Sequence, residues 1–354
     1  MIAADVYLSR CYRIVPMKQT LGLSVYVFYL FVLLEVGSRA YWTVAHDVPL
    51  LRMEDIFYVY YPEVETARQS HCGDEGLDVL LLGASVLNNR VSPAIEPLLS
   101  AELGARYDQP VCVHNLSRLG HTTLDSYYKL EHLADLPFDL VVVYHGINET
   151  RANNCPSSLF RGDYGHYAWY EKINALMEHD EISYLVLPWT LRYAYLEFIS
   201  RYYPRRYVPR DVPENELWLS MGATVKTKKP FRRNLTSIRQ LAKGNGSPVV
   251  LMTFAHHLPR GYTRERFDER QLDYSVSRVA MPVEVWGLPQ HVVHGVDVHN
   301  RIIRDIAGNH AEVIFVDQEK AIPKSGRFFA DICHLSVDGQ RLLVENIMGA
   351  LEDR

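Results

Sequence analysis

Short, nearly continuous apolar runs alternate along this chain with segments of helical spacing, and that alternation restricts the fold more than any other feature. Phe138 to Tyr144 reads FDLVVVY, β-branched and broken only by Asp139. A strand with one wet face shows a polar residue at every second position, so such a run implies burial on both faces, as in a parallel sheet covered by helices. Four further runs read the same way: Asp78 to Leu82 (DVLLL), Val111 to Leu116 (VCVHNL), Ser247 to Phe254 (SPVVLMTF) and Ala311 to Val316 (AEVIFV). Helical spacing fills the intervals, over Pro93 to Leu103, Leu124 to Leu133, Arg232 to Lys243, Val293 to Ala307 and Val337 to Leu351. Gly244 is placed to end the third of these helices as its C′ residue. The pattern predicts an α/β fold, a three-layer α/β/α sandwich around a five-stranded parallel, flavodoxin-like sheet. No internal repeat is present.

The amino terminus follows other rules. Leu21 to Val36 reads LGLSVYVFYLFVLLEV, with only Ser24 and Glu35 polar, and it extends through Ala40-Tyr41-Trp42. A membrane span needs about 17 to 25 such residues. Arg10, Arg13 and Lys18 precede the run, and Tyr41 and Trp42 suit an interfacial belt, so the positive flank predicts a cytoplasmic start and an exported carboxyl-terminal bulk. The small-x-small ending Ser38-Arg39-Ala40 gives a cleaved signal peptide as the rival, and a buried core helix is the third reading. The long leader favours a retained anchor. The expected organisation is a cytoplasmic segment 1–20, a transmembrane anchor 21–42, a polar, Tyr-rich connector 43–76, and a main domain 77–354 interrupted by an insertion at about 150–230. That insertion contains Pro188 to Arg210 (PWTLRYAYLEFISRYYPRRYVPR). It reads either as a lid, membrane-surface or sugar-stacking element, or as a helix packing its aromatics on the core.

The net charge of −5, with no Lys/Arg-rich run, excludes nucleic acid as a partner. Of the five cysteines, Cys72, Cys112, Cys155 and Cys333 would lie in an oxidising compartment, where they are free to pair; Cys155 with Cys333 is one option. No CxxC pair, no metal-ligand spacing around His291, His294 and His299, and no glycine-rich phosphate loop is present, so no metal or organic cofactor is implied. His256 and His257 read as solvated loop histidines.

Chemistry concentrates where the apolar runs stop. The first run enters Gly83-Ala84-Ser85, just past the carboxyl end of a central strand, where open α/β sheets bind ligands. A serine hydroxyl needs an adjacent base. Asp331-Ile332-Cys333-His334 supplies one: an Asp three residues before a His in an irregular turn orients one ring nitrogen and leaves the other for the serine. Gly120 follows the second run and lets a backbone N–H approach a ligand; Asn148 follows the third and carries a side-chain amide donor. Each residue taken alone is equally a turn or capping residue.

Taken together these blocks resemble the SGNH hydrolases, the GDSL-like esterase and lipase family. Ser85 in Gly83-Ala84-Ser85, Gly120, Asn148 in Gly146-Ile147-Asn148-Glu149, and His334 in Asp331-x-x-His334 match the family's four blocks in order. The resemblance spans about residues 78–350 and skips the insertion; the anchor resembles that of membrane-bound bacterial members. Two positions depart: Ala84 stands where the first block usually carries Asp, and Glu149 where the third often ends in Asp. The resemblance implies Ser85 as nucleophile, His334 as base, Asp331 as its orienting partner, and Ser85, Gly120 and Asn148 as the oxyanion hole. It implies a serine esterase at the bacterial inner membrane, single-pass, facing the periplasm or exterior. The substrates implied are acylated cell-surface glycans or lipid esters. The rival expectation is a non-catalytic or acyl-transferring glycan-assembly protein that keeps the fold.

Overall fold

The computed structural model describes residues 17–72, 75–208 and 216–352. Five strands, β1 (Leu77–Gly83), β2 (Val111–Asn115), β3 (Leu140–Tyr144), β4 (Val249–Met252) and β5 (Val313–Val316), form one parallel sheet in the order β2-β1-β3-β4-β5. The order reverses between β1 and β3, which makes their carboxyl ends the topological switch point where such sheets bind ligands. The register pairs Gly83 with Tyr144 and Leu81 with Asn115. The loops that leave β1, β2 and β3 therefore start side by side.

The helices are α1 (Met17–His46), α2 (Ile56–Tyr60), α3 (Pro62–Gln69), α4 (Ile95–Tyr107), α5 (Thr123–Glu131), α6 (Ile147–Ala152), α7 (Ala168–Met177), α8 (Leu187–Tyr202), α9 (Glu216–Ser220), α10 (Lys228–Gly244), α11 (Arg264–Asp268), α12 (Pro289–Gly308), α13 (Gln318–Ala321) and α14 (Val337–Glu352). Because strand side chains alternate in direction, the apolar runs divide between two cores. Leu80, Leu82, Val141, Val143, Val249 and Leu251 face the side covered by α5, α10 and the carboxyl-terminal half of α12. Val79, Leu81, Val142, Tyr144, Val250 and Met252 face the side covered by α4 and α14. Both faces are dry, which is why these strands carry no polar alternation.

Residues 43–76 are more than the expected connector. Met53, Ile56, Phe57, Tyr61 and Val64 are buried in the same core as the sheet. From it the Tyr61 hydroxyl donates to Asp125 Oδ1 (2.8 Å), and Glu63 pairs with Lys129 (2.8 Å), a lysine with no exposed surface. Polarity misled here because Tyr61 and Glu63 are spent on buried partners.

The apolar amino-terminal run is a single helix, and from Leu23 to Leu34 its large side chains are exposed. It is therefore not a core helix. Gly22–His46 is long and apolar enough to cross a membrane. Trp42 departs from the expected interfacial belt: it is fully buried against Trp189 and Tyr193 of α8, and its indole N–H donates to Thr190 Oγ1 (2.9 Å). Seven residues earlier, the Glu35 carboxylate accepts from the Val186 and Leu187 amides (3.1 and 2.8 Å) and from Arg39 Nε (2.7 Å). An anion at the amino end of α8 satisfies donors that have no partner within that helix. The insertion thus packs Trp189 and Leu196 inward, while Leu191, Tyr195, Phe198 and Tyr202 stay exposed. Arg10 and Arg13 of the expected cytoplasmic segment, and Arg210 of the insertion, lie outside the described residues.

Smaller expectations also change. Gly244 is the last residue of α10 rather than its C′; Gly246, two residues on, takes the left-handed conformation (φ +73°). His256 and His257 are buried, His257 Nε2 lying 3.2 Å from the Asp273 carbonyl. Cys155 and Cys333 are separate buried thiols, and the disulfide joins Cys72 to Cys112. It ties the segment entering β1 to β2 across 40 residues. In the chain-entropy account a loop of that size stabilises by about 4 kcal/mol at most. Reduction is expected to lower the unfolding free energy by about 2–4 kcal/mol in denaturant titrations; an unchanged midpoint contradicts a structural role for the bond.

Candidate active site

β1 ends at Gly83, where a Cβ would press on Leu87 Cδ1 (2.7 Å) and on the Tyr144 carbonyl (3.2 Å). Ala84 then turns the chain, and Ser85 opens a one-turn 3₁₀ helix, Ser85–Leu87, closed by Leu87 N donating to Ala84 O (3.1 Å). The turn lifts the serine hydroxyl off the end of the strand at the sheet's switch point. Ser85 is 7% exposed, so the hydroxyl sits in a mostly dry setting.

The histidine arrives from the far end of the sequence. Residues 329–335 form a tight loop held by Ala330 N donating to His334 O (2.7 Å) and by pairing of Phe329 with Leu335. Asp331 sits at its centre with no exposed surface. Its Oδ1 accepts from the amides of Cys333 (2.9 Å) and His334 (2.8 Å), and its Oδ2 from the Met281 amide (2.7 Å) and His334 Nδ1 (2.6 Å). Four N–H donors fix this carboxylate in place and direction. An ionised carboxylate only accepts, so Nδ1 carries the imidazole proton and Nε2 is left with its lone pair. Nε2 lies 2.9 Å from Ser85 Oγ. The three residues chosen from sequence are joined in one hydrogen-bonded chain.

Gly120 lies in the loop leaving β2, with φ +80°, a conformation that glycine adopts freely. The loop is braced from below: Lys129 Nζ donates to Leu116 O (2.5 Å) and His121 Nδ1 (2.8 Å), and Asn88, the residue that follows the serine turn, donates to Ser117 O (2.7 Å). Asn148, at the start of α6, donates from Nδ2 to the His121 carbonyl (2.8 Å). This sets its amide against the segment that carries Gly120. The chain enters α6 through Gly146, where a Cβ would meet Phe254 Cβ at 2.6 Å, so only glycine lets β3 turn here beside β4.

Three contributors carried no signal in the sequence. Trp286 donates from Nε1 to Asn148 Oδ1 (3.0 Å), and its ring lies 5.8 Å from that of His334. Asn154 holds the Trp286 carbonyl (2.6 Å). His299, one of the helix histidines, faces the Gly146 carbonyl through Nδ1 (3.0 Å) and Thr227 Oγ1 through Nε2 (3.0 Å). Burial pushes its imidazole down to about 4, which keeps it neutral. Each of these residues sits in an aperiodic turn or on a helix face that sequence periodicity assigns to packing. Two groups of described residues bring possible metal ligands within 4.8 Å of one another: Cys72, Asp78 and Cys112, whose thiols are paired, and Asp331, Cys333 and His334, already bonded together.

No protein-family model and no curated protein matches this chain. Solved structures do. The lipase/acylhydrolase from Enterococcus faecalis aligns at 20% identity over 78% of this chain and 96% of its own, with a TM-score of 0.40. The structure of TesA aligns at 17% identity over 78% of this chain and 98% of its own, with a TM-score of 0.39. A G-D-S-L-type lipolytic protein from Desulfitobacterium hafniense aligns at 12% identity over 77% and 98%, also at 0.39.

Glu149, next to Asn148, is wholly buried; its Oε1 accepts from the Thr123 amide at the start of α5 (2.7 Å). Burial pushes its carboxyl up to about 7, against the ordinary 4.5. Between those two values the unfolded chain has released this proton and the folded one keeps it, so this group's contribution lowers stability as pH rises from about 4.5 to 7. Glu149→Gln removes the contribution. Thermal unfolding of both proteins is expected to show the variant gaining on the wild type as pH rises across that window; a constant or shrinking difference contradicts the assignment.

Proposed function

We propose that this chain is a membrane-anchored serine hydrolase of the SGNH type that cleaves carboxylic esters through a covalent acyl-serine. The observation that carries the reading is the continuous Ser85–His334–Asp331 chain, with links of 2.9 and 2.6 Å. In the reaction His334 Nε2 takes the hydroxyl proton as Ser85 Oγ attacks the ester carbonyl. The Ser85 and Gly120 amides and the free N–H of Asn148 Nδ2 receive the negative charge that develops on the carbonyl oxygen. The protonated imidazole, held by Asp331, passes its proton to the departing alkoxide, which leaves as the alcohol. Water, deprotonated by the same imidazole, then attacks the acyl-serine and releases the acid and the free enzyme.

Ala84 does not interrupt this machinery, since position 84 only turns the chain toward Ser85. The anchor supports a surface-bound role. The exposed apolar length of α1 suits lipid, and the Ser38-Arg39-Ala40 ending lies inside a continuous helix that Glu35 and Trp42 fasten to α8. That packing favours retention of the anchor over cleavage. We assign the acting domain to the outer face of the cell membrane, with O-acyl groups of surface glycans or lipid esters as the substrate class.

The test uses the full chain in detergent micelles with p-nitrophenyl acetate. Turnover is expected in the wild type and is lost in Ser85→Ala. Asn148→Ala is expected to keep the wild-type circular dichroism while kcat falls by about 10²–10³-fold, the usual effect of removing one oxyanion donor. Equal rates in wild type and Ser85→Ala overturn the assignment and leave the fold as a non-catalytic glycan-binding scaffold.

A further inference from the structure

We propose that Trp286 is a positioning residue for the reaction, acting through Asn148: its indole N–H fixes which end of the Asn148 amide faces the substrate. The inference rests on the hydrolase reading above and adds a residue to it. A side-chain amide is nearly symmetric in shape, so packing alone does not distinguish its oxygen from its nitrogen. At Asn148 two neighbours do. The indole N–H only donates, and it lies 3.0 Å from Oδ1; the His121 carbonyl only accepts, and it lies 2.8 Å from Nδ2. A flipped amide would put oxygen against oxygen at His121 and N–H against N–H at Trp286. The two contacts together permit one orientation, in which the second Nδ2 hydrogen stays available for a developing oxyanion.

Trp286 is itself held before any substrate arrives. Its amide donates to Val283 O (2.9 Å) in a 3₁₀ turn, its carbonyl accepts from Asn154 Nδ2 (2.6 Å), and only 3% of the residue is exposed. Gly287 follows at φ +147°, and a Cβ there would come within 3.0 Å of the same Asn154 amide. A donor held this rigidly adds preorganisation that substrate binding need not supply. The role is therefore in the transition state, and substrate affinity is not its object.

The experiment measures p-nitrophenyl acetate kinetics and the rate of labelling by a fluorophosphonate probe for the full-length wild type, Trp286→Phe, Asn148→Ala and the double variant. Trp286→Phe keeps an aromatic wall beside His334 and deletes the donor. Its kcat and labelling rate are expected to fall about ten- to thirtyfold with KM nearly unchanged. In the Asn148→Ala background the same substitution is expected to change kcat less than about twofold, because its only route of action is gone. A structural role would lower activity equally in both backgrounds, and that result overturns the inference, as does a wild-type rate in Trp286→Phe. If Trp286→Phe does not fold, benzothienylalanine at position 286, which replaces the N–H by sulfur in the same outline, carries the same expectations. A wild type that neither turns over ester nor accepts the probe overturns the hydrolase reading and this inference together; a reactive wild type with an unaffected Trp286→Phe overturns this inference alone.

Discussion

The hydrogen bond between Ser85 Oγ and His334 Nε2 spans 249 residues of sequence, and the site exists only because the fold closes that distance. Closing it requires the parallel sheet. Parallel strands point their carboxyl ends the same way, so the loops after β1, β2 and β3 and the final loop before α14 meet at one edge. The serine end of the bond is set by the β1 register and the turn at Ala84. The histidine end is set by Asp331, whose oxygens are held by three backbone amides as well as the imidazole. Three amides on a buried carboxylate leave it almost no freedom. The ring it holds is aimed at the serine by backbone geometry, independent of any mobile side chain.

A second layer supports the first. Beneath the loop that carries Gly120, buried Lys129 pairs with the half-buried Glu63 and donates to the Leu116 carbonyl, and the Tyr61 hydroxyl donates to buried Asp125. Removing one of these partners leaves a charge or hydroxyl in a dry setting, which is costly. The segment after α1 thus joins the site from below, and it is continuous with that long apolar helix. Glu35 and Trp42 fix that helix to α8 of the insertion. The insertion, which interrupts the strand–helix rhythm, therefore includes the surface on which α1 rests.

Much of this was legible in the residues. Continuous apolar runs give buried parallel strands by a strong physical rule; four strands formed within those runs, and β1 exceeds its run by one residue at each end. Ser85, Asp331 and His334, singled out because few residue types suit the turn that ends a strand at a sheet's switch point, are the ones the structure joins by hydrogen bonds. The rest followed no periodicity. Trp286 lies in an aperiodic turn, and its partner is 138 residues away. Residues 43–76 looked solvated because a glutamate paired with a buried lysine and a solvated one are the same letter. Trp42 looked like a lipid-facing aromatic for the same reason. His256 and His257 were misread because sequence does not show the later elements that fold over a loop.

Peptide mapping of the covalent adduct left by a fluorophosphonate on the wild-type protein bears most directly on the central claim. The phosphonyl group is expected on the peptide that contains Ser85, whose hydroxyl lies 2.9 Å from His334 Nε2. An adduct found on any other serine, or none after prolonged exposure of folded protein, would contradict it.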